Sequence, residues 1–311
     1  MVRFIGYREQ TADVRQLSSA GKQKALISFA DKRLWRSLRR LDKQAKSMAF
    51  FDKQFLFDES DLESFGPVLD SIRHLLSPEV RGFGYWIWKP LVILKAMEQM
   101  GEGDLAIYVD AGCHLNAAGV ARLSDYFAAV ESSPEGIVGF QNNPPSDFLV
   151  WDGRPLPLYP DCQWAKGDLL DFFEVRENPA ITQTPIFGAG VILLRKCEAA
   201  VEFLWTWFSI MSEHINLVDD SPSETPNHPW FIENRHDQSV FSIMAKLAGI
   251  QHFSSFEYSY PPKAQSLRRR DWKSLAETPV HARGDKDLGL VHKLKRKTMG
   301  TLKRYSQIIR N

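Results

Sequence analysis

The stretch RGFGYWIWKPLVILKAMEQMGEGDLAIYVDAGCH, Arg81 to His114, decides how the chain is read. It joins an aromatic and glycine cluster, a lone lysine before a proline, a helix-forming segment, and an apolar run that stops at Asp110. Leu105, Ala106, Ile107, Tyr108 and Val109 show no polar alternation, so they read as a strand covered on both faces. A carboxylate at the end of such a strand emerges where open α/β sheets bind ligands, which makes Asp110 the first candidate for chemistry. Upstream, Pro90 suits the first turn of a helix, and Gly101 and Gly103 end it.

Working outward, KALISFA (Lys24 to Ala30) is an apolar strand, and Leu34, Leu38 and Leu41 give the next segment helical spacing. KQFLFDESDL offers a short strand, after which Asp61 is placed to cap a helix running to Leu76. Residues 116–130 have a helical pattern, GIVGF from Gly136 is a strand, and residues 141–163, rich in proline, asparagine and aspartate, read as a long surface loop. PIFGAGVILLRK is a further apolar strand, interrupted at Gly188, Ala189 and Gly190, where glycine permits close approach of a ligand or another backbone. A helix with Trp205, Trp207 and Phe208 follows, and Arg235, His236, Asp237 and Gln238 open one more. Strands alternating with helices, without repeat or linker, predict one α/β domain over residues 1–287. Residues 288–311 carry lysines and arginines but no acid, with apolar residues among them. Such a basic amphipathic segment suits peripheral contact with an anionic membrane, or packing on the domain.

The 311 residues are 44% hydrophobic, enough for a sizeable core. With 39 basic and 38 acidic residues the formal charge is +1, which argues against nucleic acid as a partner. Cys113, Cys162 and Cys197 are widely spaced and odd in number, as expected for reduced thiols. The N-terminus lacks the apolar core of a signal peptide, and VEFLWTWFSIM is too short to span a bilayer. The expected location is the cytoplasm, with 288–311 available for the inner membrane face.

The motifs SFAD, GFGYWIWKP, YVDAGC, QWAKGDL, FGAGVILLRK and RHDQSVFS, in this order between Lys24 and Gly249, resemble a bacterial group of glycosyltransferases with the nucleotide-sugar (GT-A) fold. The resemblance implies a Rossmann-type mixed sheet flanked by helices. It also implies a nucleotide-diphosphate sugar as donor, a UDP-hexose foremost, and a capsule or lipopolysaccharide-type glycan or glycolipid as acceptor. A departing diphosphate gathers negative charge and needs a cation or fixed positive groups beside it. Asp110 suits Mn2+ or Mg2+ as a hard oxygen ligand, but Gly112 stands where the family's acid-x-acid motif has its second acid. In retaining members such as glycogenin a late histidine helps bind the metal, and His281 occupies a comparable position.

The remaining candidates divide between donor and acceptor. Lys89 is a positive charge fixed beside a helix start, with Gly82 and Gly84 letting backbone approach a ligand, and is expected to contact the diphosphate or donor sugar, because lysine is seldom buried without a partner; Trp86 and Trp88 read as core. Asp31 ends the first strand, where related folds hold the nucleoside, and equally suits a helix N-cap. Gly112, Gly188, Ala189 and Gly190 are expected to run against the donor. FGAG resembles the family's FNAG strand, with Gly188 replacing an asparagine, and leans toward retention at the anomeric centre. The resemblance sets Asp237 and Gln238 beside sugar hydroxyls, with Asp237 or His236 as the acid/base group. Trp164, Lys166 and Gln183 are the acceptor candidates. Two rival readings use the same residues: a metal-dependent phosphoesterase or nucleotidyltransferase built on Asp110, His114, His236 and Asp237, and a non-enzymatic glycan-binding subunit.

Overall fold

The computed structural model describes residues 21–143, 150–151, 154–155, 158–259 and 277–282. The basic segment 288–311 and part of the long loop after Gln141 lie outside the described residues.

The first strand, β1 (Lys24–Ala30), leads into α1 (Trp35–Met48), which buries Leu38, Leu41, Ala45 and Met48 at helical spacing. Next come β2 (Lys53–Asp58), a one-turn α2 (Gly82–Tyr85), α3 (Lys89–Glu98), β3 (Leu105–Val109) and β4 (Cys113–Leu115). The chain continues through α4 (Val120–Ser132), β5 (Ile137–Gln141) and the two-residue strands β6 (Val150–Trp151) and β7 (Arg154–Pro155). Then follow α5 (Gly167–Phe172), α6 (Pro179–Thr182), β8 (Phe187–Arg195), α7 (Glu198–Glu213), α8 (Asp237–Leu247), β9 (Gln251–Ser254) and β10 (Val280–Ala282). No helix among the described residues is long and apolar enough to cross a membrane.

The main sheet has six strands in the order β2-β1-β3-β8-β5-β9. Its mixed character comes from β8, which runs antiparallel to β3 and β5, whereas β1 is parallel to β2 and β3, and β9 is parallel to β5. Side-chain alternation splits the core between two faces. Ile27, Phe29, Ala106, Tyr108, Ile192 and Leu194 pack with α3, α7 and α8, whereas Leu26, Ile107, Val109, Val191 and Leu193 pack with α1 and α4. The α/β fold with a mixed sheet flanked by helices is thus the observed architecture, and β3 is buried throughout.

Two local expectations need correction, and three short strands lie outside the expected set. The helix from Asp61 to Leu76 is instead two 3-10 segments, Asp61–Leu69 and Arg73–Leu75. Gly66 breaks it at φ 76°, ψ −161°, Pro67 follows, and the Asp61 carboxylate accepts from the Asp58 amide instead of capping a helix. The short strands β4, β9 and β10 have too few residues to show a period. Finally, Gly82 and Gly84 do not serve backbone approach to a ligand. They belong to a left-handed turn in which Gly82, Phe83, Gly84, Tyr85 and Trp86 have φ of 63°, 57°, 95°, 52° and 60°.

The apolar strand β8 carries the decisive irregularity. Its register with β5 shifts between Val138, opposite Leu193, and Phe140, opposite Gly188, so two steps along β5 match five along β8. The surplus residues lie between Gly188 and Leu193, which frees the Ala189 and Gly190 carbonyls from β5 for other contacts. The turn into β5 is set at Gly136, whose φ is 65° and whose carbonyl accepts from the Arg195 amide at 2.7 Å. A Cβ there would lie 2.4 Å from Cys197 Sγ and 2.9 Å from the Arg195 carbonyl oxygen. Gly136→Ala is therefore expected to destabilise the protein by about 2 kcal/mol or more, through a left-handed backbone and overpacking together. Urea unfolding checks this, and an unchanged midpoint would mean that the turn relaxes freely.

Candidate functional site

Alternation along β3 puts Tyr108 on the face covered by α3 and α8, and Asp110, two residues on, continues on that side. Lys89 begins α3 and Asp237 begins α8, so both helix starts meet there. The Lys89 ammonium is 2% exposed and contacts Asp237 Oδ2 at 2.7 Å, the Ala189 carbonyl at 3.1 Å and Asp110 Oδ1 at 3.4 Å. Its three N–H donors are thereby accounted for. The Tyr108 hydroxyl donates to the same Asp110 oxygen at 2.8 Å, and the Asp110 amide donates to the Gly190 carbonyl at 2.8 Å. The bulge of β8 is what offers the Ala189 carbonyl to Lys89.

Asp237 is 4% exposed, whereas the Asp110 side chain is 39% exposed and its second oxygen accepts no bond among the described residues. Burial pushes the Asp237 carboxyl up to about 6 against the pull of Lys89. Burial also works against the Lys89 charge, but Asp110 and Asp237 together hold its pKa above the ordinary value. The 2.7 Å contact fits an ionic pair at neutral pH. Burial, reinforced by Asp110, raises the Tyr108 phenol, which keeps its proton and donates.

In front of this group lies a cleft of about 490 Å³. It is lined by Asp110, Cys113, Tyr159, Trp164, Gly188, Gly190, Arg235, Gln238, Tyr258 and Ala282. The Arg235 guanidinium lies 4.3 Å from the Trp164 ring centroid and pairs with Glu233 at 3.0 Å. Asn142, Ile186, Ser255 and Ser259 complete the lining. Of these residues, Tyr159, Tyr258 and the serines belong to no recognisable motif, and only the fold brings them together.

The other sequence candidates lie elsewhere. His236 is 1% exposed, and its Nδ1–H donates to the Val218 carbonyl at 2.5 Å. Its ring packs against Tyr85 and Trp86 at 5.3 and 5.6 Å, and burial lowers its pKa, so it is a neutral packing residue behind the site. Asp31 closes the β1–α1 turn, gripped by Arg33 Nε at 3.1 Å and accepting from the Arg33 amide at 2.8 Å. Lys166 is buried and donates to the Asn216 carbonyl, Asp219 and Ser221 at 2.6, 2.8 and 3.2 Å. Gln183 is exposed after α6, away from the cleft lining. Trp86 is half-buried, and Trp88 is buried against Phe29 at 4.2 Å.

The metal candidates are not brought together. Ala282 and Cys113 pair across β10 and β4 and line the cleft, so by alternation His281 and its partner His114 face the other way. His114 Nδ1 lies 3.4 Å from Gln44 Nε2 on α1, and His281 Nε2 lies 3.2 Å from Thr278 Oγ1. No group of three or more His, Cys, Asp or Glu capable of holding a metal occurs among the described residues. A hard divalent ion needs several oxygen ligands, and among the described residues a single carboxylate, already paired on one oxygen, faces the cleft. The donor set of the described residues does not fit a resident Mn2+ or Mg2+. The rival phosphoesterase constellation is likewise unassembled, since His114 and His236 both point away from Asp110.

No family model matches the sequence, and no curated protein matches it. Among solved structures, mouse xyloside xylosyltransferase 1 in its apo form is similar over 84% of this chain and 97% of its own, at 10% identity and a TM-score of 0.46. A glycosyltransferase involved in the glycosylation of the major capsid of PBCV-1 is similar over 85% of this chain and 94% of its own, at 11% identity and a TM-score of 0.45. The galactosyltransferase LgtC, in complex with donor and acceptor sugar analogs, is similar over 83% of this chain and 86% of its own, at 9% identity and a TM-score of 0.39. At such values the likeness carries no chemistry across, and the site's own residues must carry the assignment.

The buried pair has a measurable signature. Lys89→Met leaves Asp237 without its cation and is expected to cost about 3–5 kcal/mol at pH 8. A carboxyl whose folded pKa is raised above its unfolded value binds more protons when folded, so stability recovers as pH falls. The deficit should therefore shrink between pH 8 and pH 5 in urea titrations. A deficit independent of pH would show that Asp237 is not the uncompensated charge.

Proposed function

We propose that this chain is a glycosyltransferase that takes a hexosyl group from a nucleotide-diphosphate sugar and passes it to a carbohydrate hydroxyl. The observation that carries this reading is the Asp110–Lys89–Asp237 group at the carboxyl end of β3, opening onto a cleft of small-molecule size. The sequence motifs that resemble the nucleotide-sugar family converge on it, because YVDAGC, FGAG and RHDQS supply Asp110, the β8 bulge and the start of α8.

In the reaction, the bond from the anomeric carbon to the diphosphate oxygen breaks with its electron pair leaving on the diphosphate, an acceptor hydroxyl oxygen bonds to that carbon, and the hydroxyl proton passes to the departing diphosphate oxygen. Asp110, held by Lys89 and Tyr108, presents its second oxygen to a sugar hydroxyl. Gln238 offers both a donor and an acceptor from the first turn of α8. Lys89 does not reach the diphosphate, because its three donors are committed; it fixes the two carboxylates instead. The charge that develops on the leaving group falls to Arg235, the cationic side chain among the described cleft-lining residues. Trp164, stacked beneath Arg235, and Tyr159 give the acceptor end an aromatic wall. A UDP-hexose donor and a capsule or lipopolysaccharide-type acceptor are the finer terms of this proposal, and retention at the anomeric centre is its stereochemical term.

Asp110→Ala is expected to lower sugar transfer at least about 100-fold and also to lower the melting temperature, because Lys89 and Tyr108 each lose an acceptor. Purified protein would be assayed with UDP- and GDP-sugars, with manganese and with chelator, and turnover close to the wild type would reject the assignment. The acceptor class implies a membrane nearby, which gives 288–311 its place in the proposal. A chain ending at residue 287 is expected to lose flotation with phosphatidylserine liposomes, and undiminished flotation would remove the tail from the scheme.

A further inference from the structure

Gly188 pairs with Phe140 at the edge of the β8 bulge, and its φ is not in the left-handed region, so its backbone makes no demand for glycine. The demand comes from space. A Cβ at Gly188 would lie 2.3 Å from the Tyr258 hydroxyl oxygen, whereas the next ring atom, Cζ, is 3.6 Å away, an ordinary contact. Only the hydroxyl excludes a side chain at this position. Glycine in a strand often marks such a close approach.

Tyr258 is built to hold that hydroxyl in place. Its ring meets Phe140 edge-on, with centroids 5.1 Å apart and planes at 89°. Its amide donates to the Ser255 carbonyl at 3.1 Å, and its carbonyl accepts from the Ala282 amide at 2.7 Å. The residue is 9% exposed and lines the cleft, and among the described residues its hydroxyl makes no hydrogen bond. Burial raises the phenol's pKa, with Cys113 and Asp110 adding to the effect, so the group keeps its proton and can both donate and accept. Buried hydroxyls normally find a partner, and the open side here is the cleft.

The position indicates which part of a ligand would supply that partner. Gly190 sits against Asp110, whose Oδ2 is 3.0 Å from a Cβ built at Gly190, and Gly188 is two residues along the same strand. The Asp110 carboxylate and the Tyr258 hydroxyl thus line the cleft beside two nearby residues of β8, close enough for one ligand group to lie between them.

We propose that the Tyr258 hydroxyl is a sugar-binding group on the cleft floor, hydrogen-bonded to a hydroxyl of the transferred hexose, and that residue 188 is glycine to admit it. The proposal rests on reading the cleft as a nucleotide-sugar site. It assigns Tyr258 to the sugar and not to the nucleotide, which separates it from a purely structural tyrosine.

The test is calorimetric titration of the full chain with UDP-glucose, UDP-galactose and GDP-mannose, and with UDP and GDP alone. Tyr258→Phe keeps the ring on Phe140 and is expected to weaken the nucleotide sugar about tenfold, the usual worth of one hydrogen bond, leaving the parent diphosphate unchanged. Gly188→Ala is expected to lower the melting temperature by clashing with the hydroxyl. The double variant Gly188→Ala, Tyr258→Phe should recover that loss and still bind the nucleotide sugar no better than Tyr258→Phe. Equal affinity of Tyr258→Phe and wild type for the nucleotide sugar overturns the proposal and leaves the donor site standing, as does equal weakening of sugar nucleotide and free diphosphate. Failure of the wild type to bind any of the five ligands overturns both.

Discussion

The Lys89 ammonium has to find its acceptors in a space closed by two helices and a strand, and the architecture around the cleft supplies them. Taking a cation out of water costs several kcal/mol unless its partners are close and well placed. Asp237, the Ala189 carbonyl and Asp110 meet that requirement from three separate parts of the chain. Each part is thereby constrained. The start of α8 must face the start of α3, β8 must leave its register with β5 to turn a carbonyl inward, and β3 must end in a carboxylate. Asp110 gains a fixed orientation, with one oxygen held by Lys89 and Tyr108 and the other left to the cleft. A preorganised carboxylate of this kind reorients little when ligand arrives.

Backbone strain collects directly behind that group. Phe83, Tyr85 and Trp86 take left-handed φ at a cost of roughly 1–2 kcal/mol each, and His236 adopts φ 56°, ψ −123° immediately before α8. The two strained segments touch, since the His236 ring packs on Tyr85 and Trp86. Burial of Phe83 and Trp88, together with the hydrogen bond from Trp88 Nε1 to the Gly82 carbonyl, offsets the turn. A second buried ion pair, Lys246 with Asp161, ties α8 to the segment that carries Trp164. The helix that presents Asp237 and Gln238 is therefore anchored at both ends, which is the condition under which a strained backbone persists.

Much of the scaffold was legible in the sequence because it follows hydrophobic period. β1, β3, β5 and β8 are apolar runs with ends marked by Asp, Gly or Arg, and α1 shows its buried stripe directly. The Asp110, Lys89 and Asp237 candidates were legible for a different reason: charged residues beside apolar elements have few places to go. What the sequence hid is set by long-range geometry. His236 and Lys166 look like site residues in their motifs, yet both turn inward to satisfy backbone carbonyls. Tyr258, after the 3-10 turn Ser255–Glu257, and Arg235, in the loop before α8, matter because the fold brings both to one cavity. The glycines of GFGYW were read as room for a ligand, but their positive φ shows that they permit a turn.

Gly112 invites a different question from the other glycines near the site. A Cβ there meets nothing within 4 Å, and its backbone is not left-handed. Glycine at this position is thus required neither by packing nor by conformation, in contrast to Gly136 or Gly188. Position 112 therefore has room for a Cβ without displacing its neighbours, so an alanine there would leave the turn after Asp110 as it stands.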